Sequence, residues 1–278
     1  MNTSPVRCGL IGHPVAHSRS AEIHRAFAEE NGIALDYMLL DVTPDEFATQ
    51  VREFFATGGR GLNVTLPHKA AALALADEAG AEALRAGVAN VLTQLPGGKL
   101  RADNTDGIGL ARDLTRNLGF DLVDRRVLIS GAGGAASGIV PALLDAGVHE
   151  IIITNRTAVC AQELAARLHD KRLSAASLAA LSHSDVFDLV INATSASLEG
   201  ERPNLPNTTV GPATLAYDLV YTDRATPFMN WASALGARTA DGWGMLVEQA
   251  AVSFFIWHKI RPDSKLRIRR HDNTGKGS

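Results

Sequence analysis

The residues best suited to chemistry in this 278-residue chain are one lysine and one aspartate, each set in a short polar cluster. Asn63 to Lys69 reads N-V-T-L-P-H-K, and Asp103 to Gly107 reads D-N-T-D-G. A third cluster is Ser18, Arg19 and Ser20, and Asn90 stands within a predicted hairpin strand. The three clusters fall just beyond predicted strand ends. Taken singly, each has a bland use: Ser18 or Ser20, Thr65, and Thr105 or Asp106 can cap the helix that follows. Taken together, hydroxyls, amides, one ammonium and one carboxylate suit a small polyhydroxylated carboxylic acid. Lys69 and Asp106 then read as an acid–base pair. Taking hydride from a secondary alcohol requires loss of the hydroxyl proton, and the reverse reaction must protonate a developing alkoxide. An ammonium beside that oxygen stabilises it, and a carboxylate orients the ammonium. No His/Cys/carboxylate group has metal-ligand spacing, which speaks against zinc chemistry.

A redox partner is written further along. Gly131, Ala132, Gly133, Gly134, Ala135 and Ala136 follow the apolar run Val127 to Ile129 and precede a predicted helix. This fits G-x-G-x-x-G/A in the context the motif requires. The first glycine permits a tight turn, the second lets the backbone approach a pyrophosphate, and the helix start offers free N–H groups. A plain turn with incidental glycines is the competing account. The next strand ends at Thr154, Asn155, Arg156 and Thr157, with no acidic residue to hold a free ribose 2′-hydroxyl. Arg156 instead offers a planar cation for a 2′-phosphate, so NADP is expected rather than NAD. A solvated arginine opening a helix is the bland alternative. Asn192, Ala193, Thr194 and Ser195 end a third buried strand, where either a cofactor contact or a simple polar turn fits.

The elements that must position these groups alternate throughout, predicting an α/β protein. In the first half, strands are expected at Cys8 to Ile11, Tyr37 to Leu40 and Leu62 to Leu66. A hairpin is expected from Val88 to Ala102 around Pro96, Gly97 and Gly98. Helices are expected at Ala21 to Glu30, from Pro44 to about Thr57, at His68 to Ala76, at Glu78 to Ala86 and at Thr105 to Leu118. In the second half, Val127 to Ile129, Ile151 to Thr154, Leu189 to Asn192 and Leu215 to Val220 are continuous apolar runs, as in a parallel sheet covered on both faces. Helices at Ala135 to Ala146 and Val159 to Leu168 alternate with them, and a last apolar helix spans Met245 to Ile260. Beyond it, Lys265, Arg267, Arg269 and Arg270 read as a solvated basic tail.

Length predicts two domains. With 46% hydrophobic and 21% charged residues, the composition excludes a disordered chain, a collagen or a coiled coil. A formal net charge of −3 provides no basic field for nucleic acid or acidic lipid. The two cysteines, Cys8 and Cys160, make no disulfide framework. With no apolar leader at the N-terminus and no membrane-spanning stretch, a cytoplasmic protein is expected.

The order and identity of these motifs resemble the shikimate/quinate dehydrogenase family over nearly the whole chain. The matching stretches are His17 to Ser20, Asn63 to Lys69, Asn104 to Gly107, Gly131 to Ala135, Asn155 to Thr157, Asn192 to Ser195, Asp218 to Tyr221 and Gly244 to Gln249. The resemblance implies NADP-dependent reduction of 3-dehydroshikimate to shikimate within aromatic amino acid biosynthesis, with Lys69 and Asp106 as the catalytic pair. It implies that Ser18 and Ser20 grip the substrate carboxylate. Asn63, Thr65, Asn90 and Gln249 would bind the carboxylate or ring hydroxyls, and Tyr221 would line the site. Asn155, Arg156 and Thr157 would take the 2′-phosphate, with Thr194 on the cofactor and Gly242 and Met245 near the nicotinamide.

It further implies a discontinuous substrate domain, residues 1–104 and 241–278, and a Rossmann-type domain, 105–240, with the active site in the cleft between them. A monomer or homodimer is expected, with a small-molecule substrate. Three positions depart from the family pattern. Ala21 stands where proline is usual, Arg25 where asparagine is usual, and Val91 where a threonine follows Asn90. They leave the reaction type intact and keep quinate or an amino analogue open as alternative substrates. Ser20, rather than threonine, leans towards shikimate. A dinucleotide-binding sensor without turnover is the reading from another class.

Overall fold

The computed structural model describes residues 4–181 and 186–265; the basic positions Arg267, Arg269 and Arg270 lie outside them. The chain forms two compact units. Among the described residues the first comprises 4–113, Ser137–Ala142 and 245–265; the second comprises Leu114–Ala136 and Leu143–Gly244.

In the first unit, β1 (Val6–Gly12), β2 (Leu35–Asp41), β3 (Gly59–Val64), β4 (Glu78–Ala79), β5 (Val91–Gln94) and β6 (Leu100–Asp103) form one mixed sheet, in the order β2-β1-β3-β5-β6-β4. β1 is parallel to β2 and β3, whereas β5 is antiparallel to β3 and β6. Its helices are α1 (Ser20–Glu30), α2 (Phe47–Ala56), α3 (Lys69–Leu75), α4 (Ala81–Ala86) and α5 (Asp106–Arg112). Cys8, Leu10, Ile11, Leu62 and Val64 are buried in the central strands. On α1, Ile23 and Phe27 are fully buried at i, i+4 spacing, so one stripe of the helix faces the sheet.

The second unit alternates strands with helices except between β10 and β11, which only short 3-10 turns join. Its elements are α6 (Gly134–Asp145), whose stretch Ser137–Ala142 belongs to the first unit, α7 (Ala158–Leu168), α8 (Leu178–Leu181) and α9 (Pro227–Ala234) among strands β7 (Arg126–Ser130), β8 (Glu150–Thr154), β9 (Leu173–Ala175), β10 (Leu189–Asn192), β11 (Leu215–Asp218) and β12 (Arg238–Ala240). Every strand pair is parallel, in the order β12-β11-β10-β7-β8-β9. Numbered from β7, that is the doubly wound order 3-2-1-4-5-6, with its reversal between β7 and β10. The expected parallel sheet is therefore present. α10 (Trp243–His258) closes the described chain and, from Met245 on, belongs to the first unit. Its Trp257 indole lies directly over β3, where a Cβ on Gly61 would stand 2.2 Å from the indole nitrogen. Among the described residues no helix is long and apolar enough to cross a membrane.

Several sequence expectations need correction. Glu78 to Ala86 is not one helix: Asp77 N donates to Leu100 O and Gly80 N to Ala102 O, each at 2.8 Å. Pairing with β6 overrides the helix propensity of the alanines, and a Cβ on Gly80 would meet Asp103 Oδ1 at 2.2 Å. Pro44 lies in a turn closed by Glu46 N to Thr43 O, so α2 starts at Phe47. β3 ends at Val64 and β11 at Asp218, both short of their expected ends. Asn90 precedes β5 instead of lying in it, although its backbone still bonds to Val64 and Asp103. The edge strands β9 and β12 are three residues each and partly polar, too short for a periodic signal. Helix α9 carried a readable start signal, Thr226 before Pro227, and Thr226 does cap it by accepting from Met229 N at 3.2 Å.

Candidate active site

Lys69 owes its position to the segment between β3 and α3. His68 is buried, stacked on Phe47 with ring centroids 4.5 Å apart, and its Nε2 lies 2.7 Å from Val42 O. That anchors the start of α3, where Lys69 is the first residue. Ala89 N donates to Lys69 O at 2.9 Å, tying the same turn to the approach to β5. Asp106 opens α5, where a carboxylate suits the positive end of the helix. Two glycines then let α5 pack closely. A Cβ on Gly107 would meet Ala142 Cβ at 2.7 Å, and one on Gly109 would meet Gln249 Cβ at 2.7 Å.

Lys69 Nζ donates to Asp106 Oδ2 at 2.6 Å, with the two side chains 12% and 7% exposed. The other carboxylate oxygen, Oδ1, accepts from Asn90 Nδ2 at 2.9 Å. Asn90 is a junction. Its Nδ2 also reaches Thr105 Oγ1 at 3.0 Å and Gln249 Oε1 at 3.2 Å, and its Oδ1 accepts from Thr105 N at 2.8 Å. Asn63 Nδ2 donates to Ser253 Oγ at 3.0 Å, and Asn63 Oδ1 accepts from Tyr37 Oη at 2.8 Å. A sparsely hydrated pair supported by neutral amides and hydroxyls keeps an ammonium and a carboxylate together without a competing charge. An ammonium so placed can stabilise an oxygen gaining negative charge and deliver a proton to it.

The bland uses of the three clusters are mostly not taken. Arg19, His68 and Thr105 occupy the N-cap positions of α1, α3 and α5, and none of the three helices has a side-chain cap bond. Ser18 does close a local turn: its Oγ accepts from Ser20 N at 3.3 Å and donates to Ser20 Oγ at 3.1 Å. Ser18, Ser20, Asn63, Thr65, Lys69, Asn90, Asp106, Gln249 and Met245 all belong to the first unit, whereas Tyr221 belongs to the second. Thr105, Tyr37 and Ser253 join the polar network without having been assigned a site role from sequence.

In the second unit the glycine turn follows β7. Gly131 has φ +112°, and a Cβ there would stand 2.8 Å from Ala193 O, so only glycine fits beside the Thr194 turn. Gly133 is exposed and has nothing within 4 Å of its Cβ direction, leaving its backbone open to approach. Ala132, Gly134 and Ala135 complete the turn and the start of α6. Beyond β8, Asn155 Nδ2 donates to Thr157 O at 2.9 Å, and Arg156 and Thr157 are exposed. This donor set, with an unblocked backbone, an exposed guanidinium and no carboxylate from Asn155 to Gln162, fits a dinucleotide bearing an extra phosphate. The Thr194 turn is held from below by Asn192, whose Oδ1 accepts from Thr194 N and Oγ1 at 3.1 and 2.6 Å. Asn192 Nδ2 donates to the buried Asp218 Oδ1 at 3.1 Å. Tyr221 meets Trp243 edge-on with centroids 6.1 Å apart. Gly242 is buried where a Cβ would collide with Leu219 O. Among the described residues no cluster of His, Cys, Asp and Glu could hold a metal ion.

Comparison with known proteins places the whole chain among related sequences and structures. Residues 10–92 match the family described as "Shikimate dehydrogenase substrate binding domain", 112–202 match "Shikimate / quinate 5-dehydrogenase", and 242–266 match "Shikimate 5'-dehydrogenase C-terminal domain". The shikimate dehydrogenase (NADP(+)) of Alkalilimnicola ehrlichii is 50% identical, over 93% of this chain and 95% of that one. The Ael1 enzyme from Pseudomonas putida is 44% identical with TM-score 0.86, covering 93% of this chain and 95% of that chain. The shikimate 5-dehydrogenase of Thermus thermophilus, solved with NADP(H) and shikimate, is 34% identical with TM-score 0.83, and covers 93% of this chain and 95% of that chain.

Proposed function

This chain belongs to the shikimate dehydrogenase family, and we propose that it interconverts 3-dehydroshikimate and shikimate with Lys69 and Asp106 as the catalytic pair. It is an NADP-dependent oxidoreductase acting on a CH–OH group. We propose residues 1–104 with 241–278 as the substrate domain and 105–240 as the NADP domain; the compact units divide instead after Asp113 and before Met245, which leaves Asp106 with Lys69. Ser18 and Ser20 hold the substrate carboxylate, and Asn63, Thr65, Asn90 and Gln249 hold the carboxylate or ring hydroxyls. Tyr221 lines the site. Gly131 to Ala135, Thr194, Gly242 and Met245 hold the cofactor, and Asn155, Arg156 and Thr157 take its 2′-phosphate.

NADPH, when bound, supplies the hydride that the ketone carbon receives. The chain's own residues handle the oxygen. As that oxygen gains negative charge, the Lys69 ammonium stabilises it, and the pair delivers one proton, so ketone, hydride and proton give the alcohol. Asp106 aims Lys69, because its Oδ2 accepts from Nζ while Asn90 occupies Oδ1. In the reverse direction the pair takes the hydroxyl proton. The observation that carries this reading is the 2.6 Å Lys69–Asp106 contact inside a network of neutral amides and hydroxyls.

The test is steady-state turnover of the purified protein with shikimate and quinate, each with NADP+ and NAD+, alongside Lys69→Ala. The highest kcat/KM is expected for shikimate with NADP+, and Lys69→Ala should lose about 10²–10⁴-fold in kcat with KM disturbed far less. Dominant quinate turnover would reassign the substrate. Near-normal kcat in Lys69→Ala would end the catalytic assignment.

A further inference from the structure

The middle of α6 bears directly on Asp106. A Cβ on Gly138 would stand 2.7 Å from Asp106 Oδ2, and 3.2 Å from both Asp106 Cβ and Asn104 Nδ2. That oxygen is the one that receives Lys69. Asn104 joins the same two elements. Its Nδ2 donates to Gly138 O at 3.3 Å, and its Oδ1 accepts from Asp106 N at 2.9 Å. Glycine inside a helix is disfavoured relative to alanine, so its place here calls for a packing reason. The contact is that reason: the α6 backbone forms a wall against which the carboxylate rests. Its other sides are taken by Lys69 and by Asn90.

We infer that Gly138 and Asn104 are positioning residues that set the Asp106 carboxylate against the Lys69 ammonium; the inference rests on the catalytic reading of that pair. The added methyl of Gly138→Ala has two ways to be relieved. Either Asp106 Oδ2 swings away and loses Lys69, or α6 withdraws and gives up the Asn104 bond. Both misplace the carboxylate by a distance on the scale that costs roughly 10²-fold in rate. Asn104→Ala acts in the opposite sense, adding no bulk while freeing the backbone of Asp106 from its tether.

Gly138→Ala should still fold, the helix preference of alanine offsetting part of the cost of crowding Asp106. Its kcat should fall about ten- to a hundredfold with KM for shikimate and for NADP+ changed by no more than about threefold. Asn104→Ala should lose about two- to tenfold in kcat, the worth of one hydrogen bond, and Asn104→Ser should restore part of it, because a neutral hydroxyl can still accept from Asp106 N. In an Asp106→Ala background the Gly138→Ala change should cost nothing further, because no carboxylate remains to be displaced. Parental kcat in Gly138→Ala and Asn104→Ala, or an equal loss from Gly138→Ala with and without Asp106, would overturn the positioning role while leaving a dead Lys69→Ala to support the catalytic pair. Parental kcat in both Lys69→Ala and Asp106→Ala would remove the pair and the inference together.

Discussion

Asn90 Nδ2 donates to Asp106 Oδ1 at 2.9 Å, so the carboxylate that receives Lys69 on one oxygen is fixed by a neutral amide on the other. This division of the two oxygens explains why an asparagine serves here and an acid would not.

Asn90→Asp places a second carboxylate against Asp106. Two like charges at hydrogen-bond distance cannot both stay ionised, so one holds a proton up to higher pH. The expected result is a kcat reduced about tenfold or more at neutral pH, with the acid limb of the pH–rate profile displaced upward. Asn90→Ala instead leaves Thr105 N, which is buried, without its acceptor. It should lower stability by about 1–3 kcal/mol, read from the urea midpoint. Overlapping pH profiles for parent and Asn90→Asp would refute this account.

Arg156 is exposed beyond β8, with no acidic neighbour from Asn155 to Gln162. Removing a charge-assisted contact to a phosphate costs about 1.5–3 kcal/mol. Arg156→Ala should therefore raise KM for NADP+ by about ten- to a hundredfold and leave KM for NAD+ nearly unchanged. The ratio of the two kcat/KM values measures it. Equal effects on both cofactors would mean that the guanidinium does not read the 2′-phosphate.

His24 is fully buried between Tyr37 and Trp257, with ring centroids at 4.6 and 5.2 Å, and neither ring nitrogen has a hydrogen-bond partner among the described residues. Burial, reinforced by nearby His258, pushes its pKa down to about 3. His258 is itself pushed down to about 4 by burial and Arg60. The folded pKa of each lies below the unfolded value of about 6.5. Above that value neither state binds the proton and stability does not depend on these groups. As pH falls below it the unfolded state takes up protons that the folded state refuses, and stability drops until the folded pKa is reached. For His24 the drop between pH 7.5 and 5 is about 2 kcal/mol, at about 1.4 kcal/mol per pH unit. The partly buried His258 contributes in the same direction. Urea unfolding of His24→Phe should lose the His24 share of this acid dependence, about 2 kcal/mol between pH 7.5 and 5; an unchanged slope would show that other groups govern it.

The polar clusters and the glycine turn were legible in the sequence because each is a short contiguous string whose residue types have few other joint uses. The parallel sheet was legible because strands covered on both faces read as unbroken apolar runs. What escaped is non-local. Ser253 meets Asn63 across 190 positions, and nothing near either residue announces the other. Nothing in the sequence around Gly138 marks it, because its contact with Asp106 exists only in the folded chain. β4 was lost because edge pairing with β6 outweighed an alanine-rich local preference. Tyr37 read as a strand residue, and only the fold reveals that its hydroxyl ends at Asn63.

The Trp257 indole seated on Gly61 carries a consequence for synthesis. The first unit's sheet is complete by β6, yet one of its faces is finished by a side chain made more than 150 residues later. A nascent chain therefore emerges with that strand bare while the whole second unit is being translated. Only when α10 leaves the ribosome can the earliest strands acquire their last covering ring.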